Sequence, residues 1–336
     1  MQTRLMNMLN IRPGEGRTVS LMMAHYFLMG AAMLLSSSAS LALFFEAWDS
    51  ATLPYVYLGI AVIVSSITAL FLKFSERTSL ARFLIPCIAL LLFGTIAFRI
   101  GLALTTSKWL LLALPIWSNT LITLSITAFW TLAGNIFAIR QSKRVFGLMN
   151  GGSWLAYVVV GFFITPLVNA FGAENLYTFI ILCLVIGLAF LLAILRANPH
   201  TTQPHPVALH SQSISVRSLL RKRYIVLIFG LMAIWHMAFY FLDNIFYDRA
   251  AFQFTDAEAL AGFIGRFFAA AGLLGFITDT FLTGRIISRF GLRAGLLITP
   301  TLTTLCVAGL TLTGKLDPAL LTLTFWLAVL ARFANE

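Results

Sequence analysis

Written as apolar and polar positions, the chain is a series of long apolar blocks separated by short polar breaks. The blocks cover 18–45, 53–73, 82–104, 109–138, 145–170, 175–195, 224–248, 257–283 and 292–313, and a tenth begins near Pro318 and is still running at Glu336. An α-helix needs about 20 apolar residues to cross the hydrocarbon of a bilayer, and it bonds all its own backbone groups. The blocks meet that length, so the pattern predicts an all-α, polytopic membrane protein.

The breaks carry the orientation. One set holds Arg4, Arg12 and Arg17; Lys73, Arg77 and Arg82; Arg140, Lys143 and Arg144; Arg217, Arg221, Lys222 and Arg223; and Arg285, Arg289 and Arg293. The alternate set has Lys108, Arg249 and Lys315, beside acids such as Asp49, Glu174, Asp256 and Glu258. Basic loops stay on the cytoplasmic side, which places the N-terminus inside and sends odd-numbered helices outward. The first apolar block is too long for a cleaved leader, so the first helix is expected to act as an uncleaved signal.

Composition agrees with this picture. Apolar residues make up 60% of the chain and charged residues 10%, too few for the polar shell of a soluble domain. A formal charge of +11 would ordinarily raise a nucleic-acid partner, but the cations sort by loop parity and read as topology signals. Cys87, Cys183 and Cys306 lie far apart in apolar blocks, as small buried hydrophobes do. His200, His205 and His210 recur every five residues, which is no same-face helical spacing, so a surface loop is expected and no metal site. No cofactor is implied. Nothing matches GxxxxGK[ST], and no nucleophile–base–acid grouping appears, so neither an ATP-driven pump nor an enzyme is expected.

Residues 197–216 form the longest polar, proline-containing stretch, on the cytoplasmic side after the sixth block. They divide a six-helix bundle at 1–196 from a second bundle at 224–336, with 197–223 as linker. A repeat supports this division. The turn Phe71–Pro86 (FLKFSERTSLARFLIP) and the turn Phe281–Pro300 (FLTGRIISRFGLRAGLLITP) each follow the second helix of their half, are basic, and enter a helix bearing proline. The second bundle shows four helices where the repeat demands six, so two further spans after Glu336 are expected.

The two turns carry a family resemblance. Gly284-x-x-x-Ser288-Arg289-x-Gly291-x-Arg293 matches, at every position but the acid, the cytoplasmic pattern G-x-x-x-D-R-x-G-x-R/K of major-facilitator carriers. The first copy keeps Glu76-Arg77, with Arg82 one place late and Leu72 and Ser79 where glycines are usual. The resemblance implies a two-bundle fold of 6 + 6 helices and a cytoplasmic latch formed by Glu76, Arg77, Gly284, Arg289, Gly291 and Arg293. A narrower likeness lies in Phe129-Trp130 … Asn135 … Lys143-Arg144-x-Phe146, which resembles the F-W-x-x-A-N … K-R-x-F/Y region of ADP/ATP translocase-like carriers. Tyr240–Leu274 is similar to a bacterial branch related to them, often fused to HEAT-type helical repeats or a cyclic-nucleotide-binding domain. The translocases carry basic residues in the first helix, where this chain reads Ser36-Ser37-Ser38-Ala39-Ser40.

Polar side chains at membrane depth are costly and face cavities or helix contacts. The resemblance implies a cavity lined by the first, fourth, seventh and tenth helices. Spacing then nominates Ser36 and Ser40 with His25 on the first helix, and Thr120, Thr123, Thr127 and Thr131 with Trp130 and Asn135 on the fourth. His236, Tyr240, Asp243 and Tyr247 share a face of the seventh, and the tenth offers Arg332 and Glu336. Arg266 lies on the eighth at a depth close to Asp243. The substrate-binding candidates are His236, Tyr240, Asp243, Arg266, Ser36, Ser40, Thr127, Trp130, Asn135 and Arg332. His25 is expected to be a helix contact, Arg99 to reach for the interface, and the glycines at 147, 151, 152, 265, 272 and 275 to let helices approach closely.

The resulting expectation is a secondary active transporter of a small metabolite by alternating access, in a bacterial inner membrane. Two alternatives stand beside it: an ADP/ATP-type exchanger, and a non-transporting sensor or anchor for fused or associated soluble regulatory domains. The expected partners are the lipid bilayer and a small-molecule substrate.

Overall fold

The computed structural model describes residues 15–75, 80–105, 107–198, 222–254 and 256–278, with isolated positions at 301, 304–305, 308 and 329. Apart from those isolated positions the ninth and tenth blocks, with the three spaced histidines, Arg332 and all six latch residues, lie outside the described residues. Within them the elements are α1 (Gly16–Ala47), a 3-10 turn (Ser50–Thr52), α2 (Leu53–Ser75), α3 (Leu80–Leu104), α4 (Lys108–Ile136), α5 (Ile139–Phe171), α6 (Leu176–Ala197), α7 (Arg223–Gln253) and α8 (Ala257–Ile277). Eight helices are long and apolar enough to cross a membrane, and no strand occurs among the described residues.

Helix ends follow local chemistry. Pro54 sits in the first turn of α2, where its missing N–H costs nothing. The chain leaves α4 through extended Phe137 and Ala138 and restarts at once, because Gln141 Oε1 accepts the Ala138 N–H. Gly172 closes α5 with φ at 82°, a left-handed conformation that a side chain would strain. Asp256 caps α8 by accepting the Ala259 N–H at 2.9 Å. α5 begins six residues before the apolar block expected at 145–170, because Arg140, Lys143 and Arg144 continue the helix past the hydrocarbon. Charge ends an apolar block without ending a helix.

The chain divides into two compact units, one formed by Met1–Pro204 with Phe254–Arg285 and the other by His205–Gln253 with Ile286–Glu336. The chain passes between the units at 204/205, 253/254 and 285/286, and α8 groups with α1–α6 through its packing on α5 and α1. In this first unit α1 is the central helix, packed against α4, α5, α6 and α8. Its antiparallel register with α4 is pinned at both ends. Trp48 Nε1 donates to the Lys108 carbonyl at 2.8 Å, and the Tyr26 and Phe129 rings stack at 3.8 Å, only 6° from parallel. At the other end of α1, Gln141 Nε2 donates to Glu15 Oε1, tying the start of α1 to the start of α5.

Small residues set the closest seams. A β-carbon on Gly152 would sit 2.7 Å from the Met23 carbonyl oxygen, and one on Gly30 would meet the Ser153 backbone at 3.0 Å. Between α5 and α8, a β-carbon on Gly161 would lie 2.5 Å from the Gly265 carbonyl oxygen, one on Gly265 would lie 2.8 Å from Ile164 Cβ, and one on Gly272 would lie 2.7 Å from Tyr157 Cβ. Close backbone approach increases van der Waals contact, the main attraction between helices in lipid. The seam is therefore sensitive to a single methyl group. Gly161→Ala and Gly265→Ala are each expected to cost about 1–3 kcal/mol and to lower the melting temperature of the purified protein. Gly134→Ala, where a β-carbon meets open space, is expected to hold or raise it. Equal melting of all three variants would show that the seam is not close-packed.

Candidate functional site

α4 carries a polar face along an otherwise apolar span. Leu121, Leu124, Ala128, Phe129, Leu132 and Ala133 are buried, whereas Thr123, Thr127, Trp130 and Thr131 are partly exposed and Asn135 is exposed. Within this face, side chains bond their own helix. Thr127 Oγ1 donates to the Thr123 carbonyl at 2.7 Å, Thr131 Oγ1 to the Thr127 carbonyl at 2.7 Å, and Asn135 Nδ2 to the Thr131 carbonyl at 2.8 Å. Buried Thr120 does the same to Ile116 at 2.9 Å. A helical threonine has this option because its hydroxyl reaches the carbonyl one turn back.

Trp130 stands at the meeting of three helices. Its ring lies 6.1 Å from Tyr26 of α1, 5.2 Å from Phe129 and 5.1 Å from Phe146 of α5, each edge-on or tilted. Tyr26 of α1, Phe129 and Trp130 of α4 and Phe146 of α5 thus meet in one aromatic cluster. The sequence reading did not single out Tyr26. Its signal was a phenol in the middle of an apolar block, where a hydroxyl needs a partner.

The first-helix candidates lie elsewhere. Ser36 and Ser40 are fully buried, ten and fourteen residues (roughly 15 and 21 Å) further along α1 than Tyr26. Ser40 Oγ donates to the Ser37 carbonyl at 3.2 Å, and Ser36 Oγ has no hydrogen-bond partner. Ser38, Ser118 and Ser125 likewise bury hydroxyls without partners. His25 is a helix contact: its Nδ1–H donates to the Gly187 carbonyl of α6 at 3.0 Å, in a buried setting. Arg99, toward the end of α3, donates from Nε to Thr178 Oγ1 at 3.3 Å and from its guanidinium to Asn175 Oδ1, joining α3 to the start of α6.

On α8, Arg266 is exposed and its Nε donates to the Gly262 carbonyl at 3.3 Å. The α7 candidates belong to the second unit. There His236 is exposed, with Nδ1–H donating to the Met232 carbonyl at 2.8 Å. Tyr240 is half-buried, edge-on to Phe239 at 5.4 Å, and close enough to Asp243 for an electrostatic interaction. Asp243 and Tyr247 are buried. Thr127, Trp130 and Asn135 thus share one face, His236, Tyr240 and Asp243 share another, and Ser36 and Ser40 sit apart from Trp130.

This geometry separates buried polar groups with a partner from those without one. Ser36→Ala removes a buried hydroxyl that has no partner, and is expected to hold or raise the melting temperature. His25→Leu removes the donor to Gly187 and is expected to cost about 1–3 kcal/mol. Thermal unfolding of both purified variants checks this, and a destabilised Ser36→Ala would contradict it.

No curated protein matches the chain. Among protein families, the Major Facilitator Superfamily matches residues 131–334, from the polar face of α4 through α5–α8 and onward. With more than half of its length matched, and with eight membrane-capable helices, the chain belongs to the Major Facilitator Superfamily, a family of membrane transporters.

Proposed function

We propose that the protein is a secondary carrier that moves a small metabolite across a bacterial inner membrane by alternating access. In this reading two bundles, 1–196 and 224–336, rock about a midplane site, with 197–223 as the cytoplasmic connection. The observation that carries it is the partly exposed polar face of α4, inside a span that is otherwise apolar. Polar groups left open at membrane depth are retained where they meet water or a solute. The basic loops put the N-terminus on the cytoplasmic side.

Charge argues against a nucleotide as cargo. A nucleoside triphosphate brings several negative charges, and a low-dielectric cavity must answer them with clustered cations. Among the described residues at membrane depth, Arg99 is engaged with Asn175 and Thr178, and Arg266 bonds the Gly262 carbonyl. The serines at 36–40 occupy the place where nucleotide carriers hold basic residues. A less charged metabolite fits this inventory better.

The α7 face supplies the coupling groups in this proposal. His236, Tyr240 and Asp243 present an imidazole, a phenol and a carboxylate along one surface, with spacings of 4 and 3 residues. Asp243 and His236 would bind a proton or the substrate. Asp243→Asn and His236→Gln, made separately and reconstituted in liposomes loaded with a labelled metabolite extract, test this. Folded protein with flux reduced at least tenfold, or made insensitive to pH, is the expected outcome. Unchanged flux in both variants would overturn the coupling role. Absence of any protein-dependent flux in the unaltered protein would overturn the carrier.

A further inference from the structure

Where α1 ends and α4 begins, two indoles and two opposite charges meet at the limit of the apolar spans. Trp48 is the first residue after α1 and Trp109 the second of α4, and both helices are membrane-capable. Trp48 Nε1–H donates to the Lys108 carbonyl at 2.8 Å, and the two indoles lie 5.6 Å apart, tilted by 58°. That bond holds the Lys108 backbone against Trp48, and Asp49 is the next residue along the chain. Trp109 is 72% exposed, and Lys108 and Asp49 are exposed beside it. Asp49 precedes the 3-10 turn at Ser50–Thr52, yet its side chain makes no cap hydrogen bond. Neither the Lys108 ammonium nor the Asp49 carboxylate forms an ion pair or a hydrogen bond among the described residues. Glu46, near the end of α1, adds another exposed carboxylate.

An exposed indole is stable at this depth because its ring meets hydrocarbon while its N–H meets polar headgroups. The flanking cation and anion, not joined to each other, complement a headgroup that carries both signs. We infer that this end of α1 and α4 seats a zwitterionic phospholipid whose headgroup ends in a primary ammonium. Lys108 takes the phosphate, the Trp109 N–H an ester oxygen, and Asp49 the ammonium, through charge-assisted hydrogen bonds. An anionic lipid would satisfy Lys108 but bring its uncompensated charge up to Asp49 and Glu46. A choline headgroup has the positive charge without an N–H, so it would lose the hydrogen bond to the carboxylate. Lipid selection here is independent of the solute the protein moves.

Three lipids with the same dioleoyl chains separate the headgroup chemistries: phosphatidylethanolamine, phosphatidylcholine and phosphatidylglycerol. Each is titrated into the purified full chain in detergent, and bound lipid is counted by native mass spectrometry. The ethanolamine lipid is expected to bind about fivefold more tightly than the glycerol lipid, with the choline lipid between them. Asp49→Asn is expected to bring the ethanolamine lipid down to the level of the choline lipid. Lys108→Gln is expected to weaken all three about threefold, and Lys108→Arg to retain them. Both side chains are exposed, so each variant is expected to keep its helical circular dichroism. Glycerol lipid binding as tightly as ethanolamine lipid in the unaltered protein would overturn the inference. So would an ethanolamine preference that survives Asp49→Asn, or binding that is indifferent to Lys108→Gln.

Discussion

Lipid tails are as apolar as leucine, so helices in a bilayer gain little by hiding apolar surface from their surroundings, and their cohesion depends on how closely their backbones approach. In the first unit this constraint is met around α1 and α5. Gly152 admits the Met23 carbonyl, Gly30 admits Ser153, and Gly161 and Gly265 bring α5 and α8 together. The polar contacts then act as positional pins. His25 fastens α1 to α6, Trp48 fastens it to the start of α4, and Gln141 fastens its first turn to α5. Contact supplies the cohesion, and the hydrogen bonds fix the register.

The apolar blocks made the architecture legible because a bilayer imposes a length that few other environments demand. The limits of α1, α2, α3, α4 and α6 lie within two residues of their blocks. The start of α5 was less legible: hydropathy marks where lipid ends, and a helix continues for as long as its backbone can bond. The grouping of α8 with α1–α6 was also hidden, since it depends on which neighbours its glycines fit. The glycines themselves were visible, and close approach holds at Gly152, Gly265 and Gly272, whereas a β-carbon on Gly147 would meet open space.

The candidate site was legible in outline only. Sequence spacing put Thr127, Trp130, Thr131 and Asn135 on one face, and the structure keeps that face partly open. Spacing could not say where each hydrogen atom goes, because a hydroxyl chooses between ligand and carbonyl by geometry at the scale of a bond. Nor could it distinguish Ser36, sealed inside the helix packing, from Thr127, or reveal that Tyr26 packs against Phe129 and Trp130. Type and periodicity locate polar faces, while burial and donor direction decide what those faces can offer.

The same back-bonding has a mechanical side. A carbonyl that accepts a side-chain hydrogen as well as the backbone N–H one turn ahead shares its lone pairs, and its ladder bond lengthens. In α4 this sharing recurs at Pro115, Ile116, Thr123, Thr127 and Thr131. The carbonyls of Thr123, Thr127 and Thr131 follow one another along the partly exposed side, in the C-terminal half of the helix. Uneven loading of this kind softens a rod along one edge, so that a modest lateral force curves it in a preferred direction. α4 is therefore built to flex, and the surface that would read a solute lies on its compliant edge.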